Sequence, residues 1–224
     1  GELREIGAGG GSIAKIEFGL IAIGPESAGA DPGPICYGKG GTQPTITDAN
    51  VVLGYISGDW FNAGEMQLNI EAARAGILEH IAKPLGLNLE QAAWGIHMVA
   101  TNNMENALRI VSVERGRDPR AYAMVAFGGA GPLHASRLSR GIGIPKVVIP
   151  AGAGVGSAIG LLEAEPRIDV STTHVLKVSS EASSTIRSIF NSLEQRANED
   201  IQRLAVAGVI KWSRYAYMRY VGQG

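Results

Sequence analysis

The apolar run Ala123-Met124-Val125-Ala126-Phe127 stops at a glycine pair, and Ala130, Gly131 and Pro132 lead into a helix-like segment from Leu133 to Arg140. A backbone that passes from extended to helical through such small residues must turn tightly, and it leaves room for close approach. Clusters of this kind recur along the chain, where glycine supplies 31 of 224 residues. They are not periodic, which excludes a collagen-like fibre. Glycines between a strand and a helix often cradle a phosphate. This loop has no Lys or Ser/Thr at phosphate-loop spacing and is not Gly-x-Gly-x-x-Gly. From the residues alone, Gly128, Gly129, Ala130 and Gly131 form either a nucleotide contact or a plain strand-to-helix turn.

The segments around this turn read as strand, helix and strand: Tyr122 to Phe127, Leu133 to Arg140 and Lys146 to Ile149. That is an α/β unit. "GVGSAIGLLEA" reads as a further helix with small residues for close packing. Upstream, Ser12 to Phe18 and Leu20 to Gly24 read as strands after the small cluster Gly7 to Gly11. Asp31-Pro32-Gly33-Pro34 can be neither helix nor central strand, so a long Gly/Pro loop follows. Asp48 is expected to cap a short helix, Ala49 to Gly54, and Asn69 to cap the next. Ile70, Ala73, Ile77 and Ile81 give that helix its spacing, and Pro84 is expected to end it. Asn88 with Gln91 resembles a capping box before a long helix to about Glu114, stopped by Gly116. Ala92, Ile96, Val99, Ala100, Ala107 and Val111 form its expected buried stripe.

From Thr172 the texture changes. Val175 to Val178 and Ala216 to Val221 read as strands, Ser184 to Gly208 as a helix, and Ser179 to Ser184 as a linker. The chain opens Gly-Glu-Leu and closes "RYVGQG" inside an apparent strand, so a longer protein is expected on both sides.

A formal net charge of -1, with scattered basic residues, gives no case for nucleic acid or an anionic membrane. One cysteine excludes an internal disulfide framework, and a reducing cytoplasm is the expected setting. The longest uncharged run, Val147 to Leu162, is broken by Pro150 and glycines and is too short for a membrane span. His134, just inside the helix after the turn, is expected to be a solvated or capping residue rather than a ligand; His80, His97 and His174 are isolated from one another, and no His/Cys/Asp spacing spells a metal site. Cys36 has no neighbouring His or Lys to stabilise a thiolate, so a buried inert thiol is expected. Asp31 and Asp48 are the carboxylates in the most constrained settings; each either satisfies backbone N–H groups or faces a cation or substrate. Asn102, Asn103 and Asn106 place amides on a mostly apolar helix, with Asn103 close to the stripe. If buried, such amides need partners, from a ligand or a facing loop.

Several long blocks, in order, resemble the hydantoinase/oxoprolinase family in its hydantoinase A-type ATP-binding subunit or domain. They are "IGAGGGSIAKIE", "GPESAGADPGPICYGKGGTQPTITDANVVLGY", "VERGRDPRAYAMVAFGGAGPLHA" and "IPKVVIPAGAGVGSAIGLL", with "YMRYVGQ" as a weaker match at the end. The resemblance implies an incomplete α/β fold of the actin/hexokinase (ribonuclease H-like) ATPase type. Residues 1–170 would be the C-terminal part of that ATPase domain and 171–224 the start of a following α/β domain. It assigns Gly128, Gly129, Ala130 and Gly131 to the adenosine side of ATP, with the phosphate loops upstream. It makes Gly24 to Asn50 a signature loop beside the cleft, with Asp31 and Asp48 as candidate catalytic carboxylates. The implied activity is ATP-dependent hydrolysis of a hydantoin or 5-oxoproline-type lactam, with Mg²⁺ and a hydantoinase B-type subunit or domain. Phosphorylation of the resonance-stabilised amide oxygen would make the ring a better electrophile. Subunits of ATP-dependent ketone carboxylases share the resemblance, and a non-catalytic nucleotide-binding module is the third alternative.

Overall fold

The computed structural model describes residues 5–204 and 208–223. It separates into two compact units, Gly1–Leu162 and Glu163–Gly224. The first carries the α/β content. It opens with an antiparallel hairpin of β1 (Ser12–Glu17) and β2 (Leu20–Ser27), joined through Phe18 and Gly19, both at positive φ (53° and 77°). Two positive φ values at the tip match the right-handed twist of the flanking strands. A register irregularity between Ser12 and Ala14 turns the start of β1 toward the glycine cluster.

Helix α1 (Ile46–Val52) follows the Gly/Pro loop. Its cap is Thr45, one turn earlier than expected. Thr45 Oγ1 accepts from the Asp48 N–H while Asp48 accepts from the Thr45 N–H, a capping box in which Asp48 is the third helical residue. The expectation that Asp48 itself caps Ala49 to Gly54 is thereby corrected: the β-branched Thr45 adopts the extended backbone that a cap needs. Helix α2 (Ile70–Ile77) is capped by Asn69, which accepts from the Ala72 N–H. Pro84 does not end it. The backbone continues through a π-type turn, Leu78–Ala82, into a short α3 (Lys83–Leu85), whose first turn holds Pro84. A missing N–H is harmless in a first turn; Gly86, at φ 64°, makes the stop.

Helix α4 (Leu89–Val111) has the Asn88/Gln91 capping box. Ala92, Ala93, Ile96, His97, Ala100 and Thr101 are its buried residues. The stripe fades beyond Thr101: Ala107 and Val111 are half-buried, and Asn102, Asn103 and Asn106 are exposed. Asn103 is therefore solvated rather than buried. Small side chains on α4 let other elements come close, and a Cβ on Gly95 would sit 2.6 Å from Ile21 Cδ1. The main core gathers Ala14 and Ile23 of the hairpin, Ile46 and Ala49 of α1, Ile77 of α2, Ile81, and the alanines and Ile96 of α4.

The strand–helix–strand unit is present as β3 (Ala123–Val125), α5 (Gly131–Ile142) and β4 (Lys146–Val148), with β3 and β4 parallel. Helix α6 (Gly156–Glu163) follows. In the second unit, α7 (Ser183–Arg203) begins one residue before the expected Ser184 and so takes in Ser183, expected in the linker. The expected helical continuation over 205–207 lies outside the described residues. Val175 to Val178 and Ala216 to Val221 form no strand among the described residues, and Val175 and Val221 are each 92% exposed. Apolar alternation makes a strand only where a partner supplies the ladder. Among the described residues, no helix is long and apolar enough to cross a membrane.

Ile96 lies at the centre of this packing with no exposed surface. Ile96→Ala is expected to cost about 2–5 kcal/mol, read as a lower urea midpoint with an unchanged m-value.

Candidate functional site

Three sequence blocks that are far apart meet at Gly10. The Gly10 carbonyl accepts from both the N–H and the Oγ1 of Thr47, each at 2.9 Å. A Cβ on Gly10 would come within 2.8 Å of Thr47 Oγ1 and 3.9 Å of the Ala130 Cβ. The N-terminal glycine cluster, the start of α1 and the turn 128–131 thus share one small region. Glycine at position 10 is required because the start of α1 presses on it through Thr47, while Ala130 lies at ordinary contact distance. Neighbouring Gly11 faces Ser27 and Gly29 in the same way, which closes the loop over the hairpin base.

The turn itself is built by backbone bonds. Ala126 N–H donates to the Val148 carbonyl (2.9 Å) and Gly128 N–H to the Ala153 carbonyl (2.7 Å), so β4 and the segment behind it fix the strand end. Gly128 sits at φ 89°, a conformation that disfavours any side chain. Gly129 and Gly131 differ. Neither has positive φ, and a Cβ on either would meet no described atom within 4 Å. The chain's own packing does not demand glycine there. Open space above a helix N-terminus, kept clear by residues without side chains, suits a ligand that approaches the backbone. Helix α5 has no side-chain cap at Ala130.

The signature loop is organised by Asp48, which is fully buried. Its Oδ1 accepts from the Cys36 N–H (2.7 Å). Its Oδ2 accepts from the Ile35 N–H (3.2 Å), the Thr45 N–H (2.8 Å) and Thr45 Oγ1 (2.8 Å). Four donors converge on one carboxylate, which is how a buried charge becomes tolerable. Asp31 lies in the exposed part of the loop, next to a cis bond to Pro32. The two candidate carboxylates therefore occupy opposite environments. Cys36 is fully buried, and its thiol is pushed up by burial first and by the Asp48 charge second. It is the inert thiol that the sequence implies.

The sequence leaves His97 isolated and makes His134 a solvated or capping residue; that expectation is corrected, because packing of α5 on α4 buries His134 against His97 and it caps nothing. His97 of α4 and His134 of α5 are both fully buried and stack at 4.3 Å between centroids with planes 13° apart. Trp94 stacks on His97 at 5.6 Å, the Tyr55 ring meets it edge-on, and the Arg137 guanidinium lies 4.1 Å over the Trp94 ring. His97 Nδ1 is 2.8 Å from Asn50 Oδ1, and His134 Nδ1 is 2.8 Å from Thr101 Oγ1. Thr101 uses its proton on the His97 carbonyl at 2.8 Å, so it accepts from His134. His134 is thus an Nδ1–H tautomer, as is His97 with Asn50 Oδ1 as its acceptor, and among the described residues neither Nε2 has a hydrogen-bond partner. Lone pairs lying in separate, near-parallel planes cannot meet at one ion. Among the described residues no three His, Cys, Asp or Glu are grouped to hold a metal. The signal available in the sequence was the spacing of Trp94, His97 and Thr101 along one helical face; which partner His97 would find depended on α5.

The α/β arrangement is one found in ATP-dependent enzymes of known structure. The chain belongs to the hydantoinase/oxoprolinase family, whose model matches residues 2–170. It is 42% identical over 209 residues to the caprolactamase subunit alpha of Pseudomonas jessenii, covering 93% of this chain and 29% of that protein. The solved structure of the ATP-dependent caprolactamase from that organism superposes with a TM-score of 0.66 at 47% identity, over 71% of this chain and 23% of the other. A nucleotide-free acetone carboxylase structure, from work on ATP-dependent acetone carboxylation, gives 0.71 at 30% identity, over 88% and 29%. 5-Oxoprolinase 1 of Arabidopsis thaliana is 30% identical over 239 residues, covering 99% of this chain and 19% of that protein. The chain thus spans a third or less of the length of each of these relatives.

Asp48→Asn puts an amide NH₂ where donors converge. It is expected to lower stability by on the order of 3 kcal/mol in urea titration. It should also speed alkylation of Cys36 under native conditions, while the parent chain reacts only after unfolding.

Proposed function

We propose that this chain supplies the adenosine-side wall of an ATP site in an enzyme that opens a cyclic amide, a hydantoin or a 5-oxoproline-type lactam. The supporting observation is the open face of Gly129 and Gly131, two glycines that neither φ nor the chain's own packing requires. The family and the ATP-dependent caprolactamase point to the same chemistry. On this proposal the fold is of the actin/hexokinase type and the phosphate-holding loops lie elsewhere in a longer protein. That placement accounts for a turn without Lys or Ser/Thr at phosphate-loop spacing. ATP, when bound, supplies a phosphoryl group to the amide oxygen. The chain's part is to seat the nucleoside against Gly128–Gly131 and to present the loop 24–50.

Within that loop we assign Asp48 to holding the backbone of Ile35, Cys36 and Thr45, since its lone pairs are engaged there. Asp31, exposed, is the carboxylate free to face substrate. Mg²⁺ is expected with ATP, but the described residues offer it no carboxylate cluster. A hydantoinase B-type subunit is the proposed partner; the word "subunit" in the caprolactamase relative's name supports a multi-chain assembly. The acetone carboxylase likeness supports a second reaction, carboxylation of a ketone. ATP turnover stimulated by hydantoin or 5-oxoproline, rather than by ketone plus bicarbonate, separates the two.

Gly129→Val in the full-length protein is expected to weaken ATP binding by roughly tenfold or more, about 1.4 kcal/mol, with an unchanged melting temperature; unaltered affinity overturns the assignment. Asp31→Asn is expected to lower turnover while shifting stability by less than about 0.5 kcal/mol, as for an exposed residue.

A further inference from the structure

The stacked histidines are adjacent to the turn but are not explained by it. Helix α5 begins at Gly131 without a side-chain cap, and of its first residues His134 and Ala135 are the buried ones. Of these two, only His134 forms a directed bond to another element, through Thr101 of α4. The other face of the ring lies on His97, which Asn50 of α1 holds and which Trp94 backs. His134 is therefore gripped from α4 by a hydrogen bond and by a ring contact, three residues after the last glycine of the turn.

We propose that His134 is a positioning residue for nucleotide binding: seated by Thr101 and His97, it fixes the first turn of α5 and so the open geometry of Gly128–Gly131. The inference rests on that turn being the nucleotide contact. A proton on His134 would put a charge on a buried Nε2 that has no hydrogen-bond partner among the described residues, so the neutral ring is favoured there. Two imidazolium rings at 4.3 Å would repel, and the Thr101 hydroxyl is already committed. The surroundings agree. Burial, then the neighbouring His97, lowers the His134 pKa to about 4, and burial, then Arg137, lowers that of His97. The charged group that the described contacts bring to the stack is Arg137 of α5, over Trp94; α1 and its following turn bring the neutral Asn50 and Tyr55, and α4 brings Trp94 and Thr101.

The sign follows. A histidine with a depressed folded pKa loses its contribution as pH falls from the ordinary 6.5 toward about 4, because the unfolded or loosened form takes up the proton first. The grip on the turn is complete above neutral pH and weakens through mildly acid conditions.

The test uses the full-length protein and ATP itself, with affinity measured from pH 7.5 to pH 5. Thr101→Val, which removes the acceptor at near-constant volume, is expected to weaken ATP binding about three- to tenfold at pH 7.5, and Thr101→Ser to restore it. His134→Phe keeps a ring in the stack but cannot be protonated. The ratio of its affinity to that of the parent should change across the acid range, and this ratio cancels the titration of ATP. Parent-like affinity in Thr101→Val, or a ratio that stays constant with pH, overturns the inference. A Gly129→Val protein that binds ATP normally would instead overturn the nucleotide assignment of the turn. If His134→Phe does not fold, the Thr101 pair decides. Nitrogen NMR of the parent adds a readout independent of ATP: His134 is expected as a neutral Nδ1–H tautomer at pH 7.5, and an Nε2–H form of it overturns the seating.

Discussion

The carboxylate of Asp48 is the interaction on which the first unit turns. It is buried with no counter-cation among the described residues, so its charge is met by directed dipoles, and Ile35, Cys36 and Thr45 supply them. This binds a proline- and glycine-rich loop, which could not organise itself through regular hydrogen bonding, to the first turn of α1. The rest of that short helix continues the pattern. Thr47 fastens the Gly10 carbonyl and Asn50 fastens His97. Side chains at 47, 48 and 50 thus each address a different segment of chain. A seven-residue helix with all but one residue buried is here less a packing element than a junction.

The glycines divide into groups with different physical causes. Gly128 and Gly86 are held by backbone conformation, at positive φ. Gly10, Gly41 and Gly95 are held by neighbours: a Cβ would strike Thr47, the Gly33 carbonyl or Ile21. Gly129 and Gly131 belong to neither group. Composition alone cannot sort them, because the same residue type answers to torsion, to crowding and to an outside partner.

Much of the architecture was legible in the sequence. The hairpin, the Asn69 and Asn88 caps, the long α4 and the β3–α5–β4 unit all follow from local periodicity and capping chemistry. The errors lie where distant residues decide. Thr45 outranked Asp48 as a cap because Asp48 was drawn to Ile35 and Cys36, ten or more residues away. Pro84 failed to end a helix because a π-type turn moved it to a new first turn. Among the described residues the apolar segments at 175–178 and 216–221 form no strand and have no ladder partner. The His97–His134 stack was invisible for the same reason: two histidines 37 positions apart become neighbours only through the packing of α4 on α5.

Gly129 has a consequence for how such a protein tolerates change. Where a residue owes nothing to torsion or to crowding within the described chain, that packing exerts no pressure on it, and on the proposed nucleotide role of the turn a constraint there across relatives would report the ligand. On that reading a chain altered at Gly129 would stay folded yet fail to receive the nucleotide. Within a multi-chain enzyme, such a subunit would take a place in the complex and silence it, a dominant effect that a destabilised chain, cleared before assembly, cannot produce.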